Sequence, residues 1–184
     1  IGWRFRNDEH GKRHFDSNGD LLGDYEQGWE RKLPAKYEWL NGNDWDCVMT
    51  IPPNGWGYIK DWSQFYTKTA YDLLDMLMQS VSMGGNFVLN FGPDGNGQMH
   101  TGENKLAKEI GDWMKGNSEA VYGVTHAPLE PSPYGYYTQK GTALYLTVFN
   151  RPVNNLVRIK IPRTATHIPT RASLLASKAD LKMK

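Results

Sequence analysis

Between residues 45 and 116 the chain reads strand, loop, helix, strand, loop, helix, and that order leaves few folds open. Two β-prone runs, 45–51 and 86–90, are each followed by a loop rich in glycine or proline and then by a helix, and a chain that alternates this way builds parallel βα units. Ala70, Leu73, Leu74, Leu77 and Val81 fall on one stripe of 3.6-residue period, which predicts a helix over 65–83 stopped by Gly84-Gly85. Residues 86–90, Asn-Phe-Val-Leu-Asn, are a nearly continuous apolar run, the pattern of a strand covered on both faces. Thr101 is the expected N-cap of a second helix over 103–116, with Leu106, Ile110, Trp113 and Met114 as its inner stripe.

After about Tyr122 the pattern changes. Residues 142–149 and 156–161 alternate in the manner of antiparallel strands. The boundary is expected within 123–133, a proline-containing stretch, giving one unit over 1–123 and another over 124–184. Residues 1–34 are polar and turn-rich and read as one long surface loop, with only Trp3 to Arg6 strand-like. Loops this long are usually functional or disordered. Residues 164–184 show no convincing strand, and there is no internal repeat.

Composition excludes several functions. Lys and Arg number 21 against 20 for Asp and Glu, a balance that argues against a nucleic-acid or polyanion binder. No apolar run approaches ~18 residues, so no membrane span is expected. The single cysteine, Cys47, can form neither an intrachain disulfide nor a cysteine-rich zinc site. His10 and His14 stand four apart, but in a glycine-containing loop, so no metal site is expected. There is no Gly-x-Ser-x-Gly elbow, no Gly-Lys-Ser/Thr phosphate loop and no G-x-G-x-x-G. The chain carries 7 Trp, 10 Tyr, 19 Gly and 10 Pro. That composition fits a loop-rich core with large anchors, and equally a sugar site, where flat aromatic faces meet pyranose rings and a few polar groups bind hydroxyls.

Three segments could carry chemistry. In Gly23-Asp24-Tyr25-Glu26-Gln27-Gly28-Trp29-Glu30-Arg31-Lys32-Leu33-Pro34, three carboxylates lie within seven residues and are flanked by aromatics. A general acid needs a carboxyl whose pKa is raised, and an apolar wall raises it by desolvation. Glu30, next to Trp29, suits that role; Glu26 competes with it, and solvated loop charge is the plainer account of both. Trp56, held between Gly55 and Gly57 after a strand, is placed to form a pocket wall with Tyr58, or to fill a core. Met83 to Gly97 is a helix end, strand and loop with glycines at both ends, which tight turns alone would explain.

Together these segments resemble glycoside hydrolase family 29, the α-L-fucosidases. The resemblance is carried by Gly23-Asp24-Tyr25 with Glu30, by Trp45-Asp46-Cys47-Val48-Met49-Thr50-Ile51 with Trp56-Gly57-Tyr58, and by Ser80-Val81-Ser82-Met83-Gly84-Gly85-Asn86-Phe87-Val88-Leu89-Asn90-Phe91-Gly92-Pro93-Asp94-Gly95-Asn96-Gly97. Ala120-Val121-Tyr122-Gly123 closes it, so it covers roughly residues 20–123. It implies an α/β fold: a (β/α)8 barrel, here partial, followed by an antiparallel β-sandwich, here incomplete. The implied reaction is retaining hydrolysis of terminal α-L-fucose, with Glu30 as acid/base (Glu26 the alternative, since the family's loop is usually a residue shorter). Trp56 would wall the pocket against the fucose C6 methyl, with Trp29 and Tyr58 as further binding residues. No cofactor and no metal are implied. The implied partner is a fucosylated oligosaccharide or glycoconjugate, and the implied location periplasmic, secreted or lysosomal-type.

The chain departs from the family in one respect. The nucleophilic Asp of the family lies at an earlier barrel strand, several dozen residues before the acid/base, and no Trp-Phe/Leu-Asp-Gly-like strand end precedes Glu30 here. A complete barrel takes ~200–250 residues, against about 120 of barrel-like sequence. The chain also begins Ile1-Gly2-Trp3, with no initiator Met or signal core. The expectation is a fragment lacking the nucleophile. The alternative is a non-catalytic fucosidase-like remnant that binds sugar or serves as a scaffold, pairing as a homo-oligomer to rebuild a barrel.

Overall fold

The element that organises the molecule is the helix α1, Ala70–Ser82, because it is buried on two sides. The computed structural model describes residues 15–20, 22–40, 42–53, 55–61, 67–163 and 168–183. The strand expected at Trp3 to Arg6, the pair His10 and His14, and the first two residues of the helix expected over 65–83 lie outside them.

Around α1 stand the strands β1 (Glu26–Glu30), β2 (Trp45–Thr50) and β3 (Asn86–Asn90), the helix α2 (Thr101–Asn117), and the strands β4 (Thr125–His126), β5 (Gly135–Lys140) and β6 (Ala143–Val148). Short 3-10 turns occupy Tyr37–Leu40 and Ser118–Ala120. β1, β2 and β3 form a three-stranded parallel sheet in chain order, and β4, β5 and β6 a three-stranded antiparallel one. The fold is therefore α/β, with the antiparallel chemistry after residue 122 as expected.

The sheet face that α1 covers is built by the odd-numbered residues of β2. Trp45, Cys47 and Met49 are buried with Leu40, and Trp29, Leu33, Met76, Met83 and Phe87 pack against them. Trp45 Nε1 donates to Met83 O at 3.0 Å, which satisfies a carbonyl at the end of α1. On its other side, α1 contributes Leu77, Met78 and Val81 to a second cluster with Val121, Trp113, Met114, Val124, Tyr136 and Phe149. That cluster joins α1 and α2 to the antiparallel sheet and runs through Val121 and Val124, either side of the expected boundary. Asp75 of α1 hydrogen-bonds Tyr136 of β5; burial pushes the Asp75 carboxyl up, and burial pushes the Tyr136 phenol up to about 12.

The ends of α1 follow local chemistry. Thr69 caps it: its Oγ1 accepts from Asp72 N while Asp72 Oδ2 accepts from Thr69 N, a reciprocal capping box. The helix thus starts at Ala70, and residues 67–69 are not helical. Gly84 ends it with φ +74, a backbone that L side chains rarely adopt. Thr69→Ala is expected to lower unfolding free energy by about 1 kcal/mol, read as a shift of the urea midpoint at constant m-value.

Three further expectations are corrected. Residues 1–34 are not all loop, because β1 lies within them. Thr101 is the first residue of α2, and His100 is its N-cap, accepting from Gly102 N through Nδ1 at 3.0 Å. Residues 156–161 join no ladder among the described residues, and Leu156, Val157 and Ile159 are exposed. The partner of β6 is instead β5, through the two-residue turn Gly141-Thr142 between the paired residues Lys140 and Ala143. Gly141 has φ +57, as the first position of a type II′ hairpin turn requires.

Cys47 lies in the core, with Sγ 3.4 Å from Lys32 O. Burial, with Asp46 adding to it, pushes the thiol up to about 12, so almost no thiolate exists at neutral pH. The expected result is no alkylation of Cys47 by iodoacetamide at pH 8 in the native protein and full alkylation in urea, read by mass.

Candidate active site

In a strand, side chains alternate between faces, so Glu26 and Glu30, four residues apart, would ordinarily share one. β1 is not regular. Glu26 pairs with Trp45, Trp29 with Cys47 and Glu30 with Val48, so β1 carries one extra residue between Glu26 and Trp29. This bulge sends the two carboxylates to opposite faces. Glu26 pairs with Trp45 on the helix-covered side and is 0 % exposed. Glu30 pairs with Val48 on the other side. The sequence reading left both carboxylates as candidates; only Glu30 lies on the uncovered face.

By the register of the three strands, that face carries Glu30, Asp46, Val48, Thr50, Asn86, Val88 and Asn90, and of these Thr50 is buried, its Oγ1 donating to Pro52 O. Val88 is 45 % exposed although it sits in a strand of apolar sequence. Strand β1 stops just after Glu30. Arg31 has φ +55, and its N–H donates to Val48 O at 2.8 Å. A left-handed backbone costs a non-glycine residue roughly 1–2 kcal/mol, which the turn after Glu30 retains. Glu30 therefore occupies the C-terminal end of β1, the end at which parallel α/β sheets bind ligands. Asp46 lies on the same face, but nearer the N-terminal end.

The loop after β2 is closed at its neck by Lys68. Its Nζ donates to Thr50 O at 2.7 Å and its N–H to Ile51 O at 3.2 Å. Burial lowers the Lys68 pKa, with Asp72 opposing. Beyond the neck, Trp56 and Tyr58 stand 37 % and 42 % exposed. Asn90, the last residue of β3, donates from Nδ2 to Trp56 O at 2.8 Å. The Tyr58 ring lies 6.5 Å from that of His100, tilted by 52°. The loops that follow β2 and β3 therefore meet at the same sheet end as Glu30. From strand spacing and rise, the Cα atoms of Glu30 and Asn90 lie about 12 Å apart across β2.

Trp29 is not part of this group. It faces Cys47 and packs in the core on the covered side, so its ring and the Glu30 side chain are on opposite faces. Adjacent residues of a regular strand diverge in this way, so the two do not meet as loop neighbours would. Two residues at the site were given no role from sequence. Asn90 had a signal, a polar side chain closing an apolar strand. Glu103, in the first turn of α2 and accepting from Gly92 N in the loop after β3, had none beyond its place near a helix start. Among the described residues no three His, Cys, Asp or Glu group so as to hold a metal, and no helix is long and apolar enough to cross a membrane.

The arrangement gathers, at the C-terminal end of a parallel sheet, one carboxylate, a polar amide and two exposed aromatics, Trp56 held through its backbone carbonyl and Tyr58 near the His100 ring. A family model described as Alpha-L-fucosidase matches residues 4–119. Tissue alpha-L-fucosidase of Mus musculus is 28% identical over 145 residues, covering 77% of this chain and 32% of that protein. An alpha-L-fucosidase of Bacteroides thetaiotaomicron, solved as a trapped covalent intermediate in complex with 2-fluoro-fucosyl fluoride using a Glu→Gln mutant, superposes with a TM-score of 0.88 at 42% identity, covering 99% of this chain and 42% of that one. Alpha-L-fucosidase isoenzyme 1 of Paenibacillus thiaminolyticus superposes with a TM-score of 0.74 at 28% identity, covering 88% and 37%. The chain thus spans about a third of the curated relative's length and about two fifths of the solved structures.

Proposed function

Since this chain belongs to the alpha-L-fucosidase family, we propose that it supplies the acid/base half of the active site of a retaining α-L-fucosidase. In this reading the whole protein removes terminal α-L-fucose from fucosylated oligosaccharides or glycoconjugates. β1 to β3 with α1 and α2 are part of a (β/α)8 barrel, β4 to β6 begin a β-sandwich, and the two divide near residue 123.

The observation that carries the assignment of Glu30 is the bulge in β1, which leaves Glu30 on the uncovered face and Glu26 in the core. Glu30 first donates a proton to the departing glycosidic oxygen, which then leaves as a neutral alcohol. A carboxylate outside these residues attacks C1 and holds the fucosyl group as an ester. Glu30, now ionised, then takes a proton from the water that opens that ester, and two inversions give net retention. The covalent intermediate trapped in the Bacteroides thetaiotaomicron relative supports this route. Trp56 and Tyr58 supply an apolar wall for the sugar, and Trp56 suits the C6 methyl.

The test is the anomer released first. Proton NMR of an aryl α-L-fucoside digest by the complete protein that carries this chain is expected to show α-L-fucose before mutarotation. Initial release of β-L-fucose would overturn the retaining mechanism, and no fucose release would overturn the activity.

A further inference from the structure

The geometry points to Glu103 as a positioning residue for the aromatic wall Trp56–Tyr58, acting through the backbone of Gly92; it rests on the reading of that wall as part of a fucose pocket. Glu103 belongs to the first turn of α2, where carboxylates usually face solvent and gain from the helix dipole. This one is 3 % exposed. It turns back toward the sheet, and its Oε1 accepts a hydrogen bond from Gly92 N at 3.1 Å. Its Oε2 is buried with no hydrogen-bond partner among the described residues. Burying a carboxylate with one oxygen unsatisfied is unfavourable. Anchoring the start of α2 does not require it, because the His100 cap already serves that end.

What the buried carboxylate does hold is Gly92, and Gly92 touches the wall directly. A Cβ at residue 92 would fall 2.5 Å from Gly57 O and 2.9 Å from Tyr58 N, so the two loop backbones are in contact with no room for a side chain. Gly57 lies between the two aromatics. Displacing Gly92 therefore displaces the segment that orients both rings. Asn90 and His100 tie the same segment from either side, at Trp56 O and at the Tyr58 ring. The hydrogen bond of Glu103 goes to the Gly92 backbone, one step removed from the rings. Its effect falls on how the sugar is gripped and not on proton transfer.

The experiment compares the complete protein that carries this chain with Glu103→Ala, Glu103→Gln and Gly92→Ala, using an aryl α-L-fucoside. The readouts are kcat, KM, the pH profile of kcat and the melting temperature. Glu103→Ala is expected to raise KM about tenfold, with kcat within about threefold and its pH profile unmoved, the pattern of lost uniform binding. Glu103→Gln keeps an oxygen that accepts from Gly92 N and is expected to restore KM to within about threefold of the parent. Gly92→Ala is expected to reproduce the KM rise with Glu103 intact. An unchanged KM in a folded Glu103→Ala, or a kcat that falls with stability while KM holds, overturns the proposal. Should Glu103→Ala not fold, Gly92→Ala decides, and a parental KM there overturns it. A parent that releases no fucose brings down the functional reading and this inference with it. An active parent with insensitive KM brings down this inference alone.

Discussion

Replacing Glu30 by Ala in the complete protein is expected to lower kcat for natural fucosidic linkages by about 100- to 10,000-fold, the usual contribution of a positioned acid/base. The loss should depend on the leaving group. A sugar alkoxide leaves only with a proton, so natural linkages lose the full amount. A nitrophenolate leaves without help, so fucosyl transfer to the enzyme is little affected and hydrolysis of the ester becomes the slow step. Added azide, an anion that needs no deprotonation, should then speed turnover of the activated substrate. Glu26→Ala is expected to give a different result, since Glu26 lies in the core at 0 % exposure: lower stability, and no dependence of the remaining rate on leaving group. If Glu26→Ala shows the leaving-group dependence and Glu30→Ala does not, the assignments are exchanged.

The second large effect concerns Trp45 and Gly85. Trp45 is 1 % exposed at the centre of the covered sheet face, and a Cβ at Gly85 would lie 2.2 Å from its Cε2. Trp45→Ala is expected to cost about 3–5 kcal/mol, from lost burial and the cavity that remains. Gly85→Ala drives a methyl into the indole and is expected to cost about 1–3 kcal/mol or more. The two substitutions oppose each other, because the methyl enters the space the indole leaves. The double variant should therefore be destabilised by less than the sum, with a coupling beyond about 0.5 kcal/mol, measured from urea midpoints. Additivity within that margin would mean that the loop around Gly85 relaxes freely and that the contact with Trp45 sets nothing.

These residues also mark what the sequence made legible. The helix α1 was readable from Ala70, Leu73, Leu74, Leu77 and Val81 because packing on a helix leaves a periodic trace. Its start was not read, although Thr69 and Asp72 spell a capping box, because the stripe was extended past it. Strands β2 and β3 were readable as apolar runs between glycines and prolines. Strand β1 was not, because it buries a carboxylate at Glu26, and its sequence, Glu-Gln-Gly-Trp-Glu, looks like loop. Its polarity and its bulge go together: the strand ends at the candidate site, and the pattern rules assume one clean face. Strand β5 was missed for a related reason. Tyr136 and Tyr137 alternate faces as strand residues do, but their hairpin depends on Gly141-Thr142, a turn that carries none of the usual Asn-Gly or Asp-Gly signal. Glu30 could be named from the motif that carries the resemblance. That it and Trp29 look opposite ways follows only from the ladder.

The helix α1 has one more consequence, for descent and for engineering. A helix on the outside of a sheet normally presents one greasy stripe inward and a free polar side outward, and units of that kind can be cut, swapped and duplicated. α1 lacks such a side over much of its length, since Met76 and the C-cap Met83 face one layer while Leu77, Met78 and Val81 face the other. A gene that kept everything up to residue 123 and discarded the remainder would strip Val124, Tyr136 and Phe149 from the cover of Met78, Val81 and Val121. The trailing sheet is thus an obligate companion of the leading one. Chimaeras that exchange it should succeed only when the donor brings counterparts of Tyr136 and Phe149, so that recombination here moves both layers together or fails.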